Sequence, residues 1–185
     1  MANGRLSIEY FKLATQYYVS ARFSALAQLM PVTGNLFHHA LELFLKGSLS
    51  STIPSPQLKK KYGHRLQALW EEFKNAHSDP ELNSFEPVIK SLDQFENIRY
   101  PESLVEGGGE LIVQPTTLPE TRSLTPRPSP LPRHQIVLQQ LDTLVYAILQ
   151  RSDINPEALF MFPTRDAREY LFRSNQAFKE PPAVA

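Results

Sequence analysis

Residues 36–49, LFHHALELFLKGSL, restrict the fold more than any other stretch of the chain. Leu36, Phe37, Ala40, Leu41, Phe44 and Leu45 recur at the three- and four-residue spacings that stack side chains on one face of an α-helix. A helix apolar over so broad an arc needs covering from several directions, so it is expected as the central stave of a bundle. Its other side carries His38, His39, Glu42 and Lys46, with Glu42 one turn ahead of Lys46 in the favourable order for a surface pair. The question for function is whether this polar edge does chemistry or only faces water.

The flanking chain supplies the remaining staves. Phe11, Ala14, Tyr18, Ala21, Ala25 and Leu29 form one stripe, which predicts a first helix over about 7–30. Pro31 ends it, and Thr33-Gly34-Asn35 reads as a short turn, so the first two helices should pack antiparallel. Gly47 and the serine-rich tail after it end the second helix and open a loop that carries Lys59, Lys60 and Lys61. A third helix is expected from Leu66, with Leu69, Trp70 and Phe73 inward, and Ser78-Asp79-Pro80 breaks it. A fourth should start near Glu81 or Phe85 and carry Val88, Leu92, Phe95 and Ile98 to Arg99.

Residues 99–115 read either as a small hairpin, with Leu104-Val105 opposite 111–113 and glycines at the tip, or as an open loop. Six prolines fall within 114–133, an extended excursion and a compositional candidate for a proline-rich ligand. A fifth helix is expected over 133–151 on Val137, Leu141, Leu144, Val145 and Ile148. The connector 153–163 holds Leu159, Phe160, Met161 and Phe162, too much apolar surface for water, so it should dock on the bundle or on a second subunit. A last helix, 164–178, carries Ala167, Tyr170, Leu171 and Phe178 on one side, with Arg165, Arg168 and Arg173 on a solvated face, and 179–185 reads as a disordered tail.

The expected architecture is therefore all-α: an antiparallel up-and-down bundle of four or five helices over 5–151, with a proline-rich insertion at 100–133 before the fifth helix. A C-terminal extension follows at 152–178. No run approaches a membrane span, no signal-peptide pattern opens the chain, and the absence of cysteine fits a reducing cytoplasm. Net charge is zero but uneven: eight Lys/Arg stand against Glu9 and Glu42 in residues 1–70, and ten Asp/Glu against Lys74, Lys90 and Arg99 in 71–110. Such halves can pair within one subunit or between two.

Motifs for common chemistries are missing. There is no phosphate-binding GxxxxGK[ST] loop, GxGxxG turn, GxSxG elbow or HExxH zinc helix, and no cofactor or metal is expected. His39 and Glu42, three apart, invite a metal reading, but bundle sites need further carboxylates from facing helices, and helix-pairing or solvated histidines account for them as well. The best anion site is Lys59, Lys60 and Lys61 with His64 and Arg65, because His64 and the amides after it lie at a helix N-terminus. Its plain alternative is a solvated basic loop. Arg99 with Tyr100 either lines the same cleft or completes a helix dipole, and Tyr17, Tyr18 and Trp70 read as core before stacking platforms.

Taken together, Tyr17-Tyr18 in the first helix, His39-Ala40-Leu41-Glu42 with Lys46 in the second, and Gly63-His64-Arg65-Leu66 opening the third resemble the HEPN domain family. The resemblance covers about residues 10–100 and extends through the fifth helix to 151. It implies an antiparallel helical bundle, usually a homodimer, in a defence, toxin–antitoxin or RNA-processing system, at times beside a separate nucleotidyltransferase. Its catalytic members are metal-independent ribonucleases with an Arg and a His separated by four to six residues. Arg99 stands in the region of that arginine, but the histidine positions hold Leu104, Val105 and Glu106. Without an imidazole there the proton shuttle for 2′-hydroxyl attack is missing. The expectation is a non-catalytic member that binds a nucleotide, RNA or a partner protein. The alternatives are a ribonuclease using Arg99 with His39 or His64, and a purely structural interaction module.

Overall fold

The computed structural model describes residues 2–115 and 131–178. Helix α1 (Ala2–Leu26) is followed by α2 (Val32–Leu49), α3 (Ser55–Tyr62) and α4 (Leu66–His77). A 3-10 turn (Pro80–Phe85), α5 (Glu86–Asp93), a second 3-10 turn (Gln94–Glu96) and α6 (Pro101–Gly107) come next. Strands β1 (Glu110–Gln114) and β2 (Arg133–Val137) precede α7 (Leu138–Arg151), α8 (Pro156–Phe160) and α9 (Arg165–Ser174). Among the described residues, no helix is long and apolar enough to cross a membrane.

Helix α2 is the centre of the molecule, packed against α1, α4, α5 and α7. Phe37, Ala40, Leu41, Leu43, Phe44, Leu45 and Leu49 are all buried. From α1, Phe11, Ala14, Tyr18, Ala21 and Ala25 of the predicted stripe are buried against it, while Leu29 lies beyond the helix and is exposed. Ser7 Oγ donates to the Gly47 carbonyl at 2.7 Å and Ser24 Oγ meets Thr33 Oγ1 at 2.9 Å, a register that makes the two helices antiparallel.

Position 34 shows how closely these elements meet. Gly34 is not in a turn, as its sequence context suggests, but inside α2, where a Cβ would fall 2.0 Å from Cδ1 of Phe95. Gly34→Ala is therefore expected to lower stability by about 1–3 kcal/mol through overpacking. Urea unfolding measures the loss, and Phe95→Leu in the same chain should restore part of it.

Several expected boundaries move. The basic run lies on α3 instead of in a loop, because Pro54 and Ser55-Pro56 start a helix there. The single fourth helix is replaced by two 3-10 turns flanking the short α5, and Arg99 lies past its end. The Ser78-Asp79-Pro80 break is as expected: Asp79 accepts from the Glu81 amide at 2.9 Å.

The hairpin is absent: 101–107 is helical, and β1 pairs in parallel with β2, Glu110 opposite Arg133 and Gln114 opposite Val137. The fold is mostly helical, not all-α. The start of the expected fifth helix is a strand because His134 and Ile136 are buried and alternate with exposed Arg133 and Gln135, a period of two. The proline-rich insertion falls between β1 and β2, and its residues 116–130, like the tail 179–185, lie outside the described residues.

The C-terminal segment docks on the bundle. Phe160, Leu171, Asn175 and Phe178 are buried, while Met161 and Phe162 stay exposed. Of the two expected sites for the connector, Phe160 takes the bundle, which leaves Met161 and Phe162 as the part of it that an interaction surface would use.

Candidate functional site

The polar edge of α2 does not face water. His38, Glu42 and Lys46 are buried, and only His39 is half-exposed. Helix periodicity puts Glu42 and Lys46 one turn apart, and the ammonium donates to Glu42 Oε1 at 2.5 Å. The same Lys46 Nζ donates to the carbonyl of Gly63 at 2.7 Å. Gly63 ends α3 at a φ of 56°, a left-handed conformation that suits glycine and turns the chain toward α4. That turn carries His64 over α2, with Nδ1 3.0 Å from Glu42 Oε2; His39 Nδ1 lies 3.5 Å from the same oxygen.

Burial alone would push the Glu42 carboxyl up. The contacts from His39, Lys46 and His64, together with the Lys46 charge, outweigh that and bring it down from 4.5 to about 2. Glu42 is therefore ionised at neutral pH and can only accept. It follows that His64 donates through Nδ1–H, which leaves its Nε2 as the available ring nitrogen. Tyr17 holds the other imidazole, its ring meeting that of His39 edge-on at 4.4 Å between centroids.

His38 sits deeper. Its Nδ1 is 3.7 Å from Glu96 and its Nε2 3.9 Å from Asp93, too far for hydrogen bonds, and Nε2 is buried without a partner among the described residues. Burial lowers its pKa against the opposing pull of Glu42, Glu96 and Asp93, which keeps the ring neutral. The N-terminus of α4, expected to bind an anion, already has one: Asp93 Oδ1 accepts from the Leu66 amide at 3.0 Å.

These groups border one cleft of about 220 Å³, lined by His38, His39, Glu42, His64, Glu96 and Arg99, with Tyr17 at its side. The structure thus joins the second-helix edge to His64 and Arg99. Arg99 is half-exposed and contacts Glu96 at 3.3 Å. It does not join the rest of the expected anion site. Lys59 and Lys60 are exposed on α3, Lys61 contacts Glu72 at 3.3 Å, and Arg65 donates back to the carbonyls of Tyr62 and Lys61 at the end of α3. Arg165 pairs with Glu169 on the surface.

Comparison with protein-family models, curated proteins and solved structures finds no match.

What the cleft can do is read from its groups alone. Glu42 is a fixed, ionised acceptor that orients two imidazoles, His64 offers a ring nitrogen able to give or take a proton, and Arg99 can donate to an anion. Among the described residues, no group of three His, Asp or Glu side chains is arranged to hold a metal.

Sequence reasoning passed over a second buried polar cluster. Tyr18 donates to Asp142 Oδ1 at 2.5 Å, Arg22 Nη1 donates to Oδ2 at 3.0 Å, and Asn175 Nδ2 donates to the Tyr18 oxygen at 2.7 Å. The available signal was Asp142 itself, an acid between Leu141 and Leu144 on the apolar side of α7.

Proposed function

We propose that the chain is a HEPN-like protein that binds a nucleotide or RNA in the cleft between α2, His64 and Arg99, as a non-catalytic member of a defence, toxin–antitoxin or regulatory system. The observation that carries this reading is the convergence of His39, His64 and Arg99 on one small cleft whose floor is the buried Glu42. Its volume, about 220 Å³, lies below the range of larger ligand pockets and suits a phosphate with its ribose, the part common to nucleotides and RNA. The reading includes a cytoplasmic homodimer, for which exposed Met161, Phe162, Leu26 and Leu29 offer apolar surface, and a nucleotidyltransferase as a possible partner protein.

Fluorescence polarisation with a short labelled RNA, and competition by ATP and GTP, tests it. Binding is expected to weaken about tenfold in Arg99→Ala, as fits loss of one charge-assisted contact. Lys60→Ala, at an exposed position that does not line the cleft, serves as the control and should bind as wild type. No binding of RNA, ATP or GTP would remove the proposal.

One observation favours a second reading, a metal-independent ribonuclease: the Glu42-oriented His64 shares the cleft with Arg99, although position 105 is a valine that is 84% exposed. That reading requires RNA cleavage that resists EDTA and disappears in both Arg99→Ala and His64→Ala. Equal background cleavage by all three proteins would sink it.

A further inference from the structure

A second cavity, of about 340 Å³, is built from different elements, α7, α8, α9 and the residues after it. Its walls are aromatic: Tyr146 of α7, Phe160 of α8, Phe172 of α9 and Phe178 beyond it. Phe160 and Phe178 meet at 4.8 Å, Tyr146 and Phe178 at 5.5 Å, and Phe160 and Phe172 at 6.2 Å between centroids. Phe160 and Phe178 are core residues, so the walls are set by the packing of the domain.

One cation enters this apolar lining. Arg168 of α9 is half-buried, and its Nε–H is enclosed without a hydrogen-bond partner. Among the described residues its Nη1 approaches only the Met161 sulfur, at 3.9 Å, a weak acceptor. The other buried or half-buried arginines among the described residues each hold a carboxylate, Arg22 that of Asp142 and Arg151 that of Asp79. A guanidinium is always charged, and among the described residues Arg168 lines the cavity without holding a carboxylate, so an oxyanion in the cavity is the natural complement. The cavity also lies in the size range of small-molecule sites: apolar walls with few polar groups.

We propose that this pocket binds a small monocarboxylate with an aromatic or aliphatic body, its carboxylate on Arg168 and its body against Phe160, Phe172 and Phe178.

The test uses the full chain, with 3-phenylpropanoate and octanoate as probes, followed by calorimetry and by the ring resonances of Tyr146. Both probes are expected to saturate a single site, about tenfold or more tighter than 3-phenylpropanamide, the difference a charged hydrogen bond makes. Arg168→Gln should abolish the preference for acid over amide, Arg168→Lys should keep part of it, and Phe172→Ala should weaken acid and amide alike. Thermal melts of each variant establish that the fold is intact. Equal affinity for acid and amide, a preference that survives Arg168→Gln, or no saturation in the millimolar range would each overturn the proposal. A probe that shifts His39 or His64 and not Tyr146 would do the same, because it would place the ligand in the nucleotide cleft instead.

Discussion

Glu42→Gln is expected to destabilise the protein by about 3 kcal/mol at pH 7, although it exchanges one planar side chain for another of the same size. Lys46 would keep its charge inside the bundle while losing its carboxylate, and an uncompensated buried charge is among the most expensive single changes a fold can suffer. The pH dependence gives an independent check. The Glu42 carboxyl lies at about 2 in the folded chain against 4.5 ordinarily, so its contribution is present above 4.5 and is lost as the pH falls toward 2. That shift corresponds to about 3 kcal/mol, in line with the first figure. Urea unfolding at pH 7 and pH 3 should show the gap between wild type and Glu42→Gln narrowing at the lower pH. Replacing both partners, Glu42→Leu with Lys46→Met, should recover most of the loss. A gap that stays constant with pH would mean that Glu42 does not act through its charge.

The second large effect belongs to Asp142, and its pH signature runs the other way. Asp142→Ala removes the acceptor of both the Tyr18 hydroxyl and the Arg22 guanidinium in a site closed to water, and about 3–5 kcal/mol should be lost. Burial pushes this carboxyl up from 3.8 to about 6, against the lowering effects of Arg22 and the Tyr18 hydroxyl. Because the folded value lies above the unfolded one, the ionised form opposes folding above pH 6. The native state gains stability as the pH falls from about 6 toward 4. Asp142→Asn cannot titrate and lacks that gain, so wild type should improve relative to it on acidification. Denaturant midpoints for the two proteins between pH 7 and pH 4 decide the matter: parallel curves would show that the carboxyl ionises as it does in water. The opposite acid responses of the two enclosed carboxylates reflect contacts that outweigh burial at Glu42 and burial that outweighs Arg22 and Tyr18 at Asp142.

The parts of the fold that local spacing determines were legible in the sequence. Leu41, Phe44 and Leu45 mark the buried face of α2, and Leu141, Leu144 and Ile148 that of α7, because helix periodicity needs no knowledge of neighbours. The strand pair was not legible, since parallel pairing joins segments far apart in sequence and its five-residue strands carry little pattern of their own. In the site, His39, Glu42, His64 and Arg99 were singled out from their residue types and spacing. Their meeting in one cleft came from the fold. The Glu42–Lys46 spacing signals an ion pair but not its burial, which depends on α3 and the Gly63 turn closing over it. Lys59 and Lys60 do not line that cleft for the same reason: charge in a sequence does not say which way a helix turns it.

The Tyr18 cluster also bears on how the chain acquires its structure during synthesis. Tyr18 and Asn175 are separated by 157 positions, and Asp142 by 124, so the first helix emerges from the ribosome long before its polar partners exist. Until then the Phe11 and Tyr18 rings lie on a helix without the α7 and C-terminal residues that complete the cluster. The apolar stripe of α1 is covered by these elements only when the later part of the chain has been made. Completion of the Tyr18 cluster is therefore a late, global event in the maturation of this protein, one that the first helix cannot reach by itself.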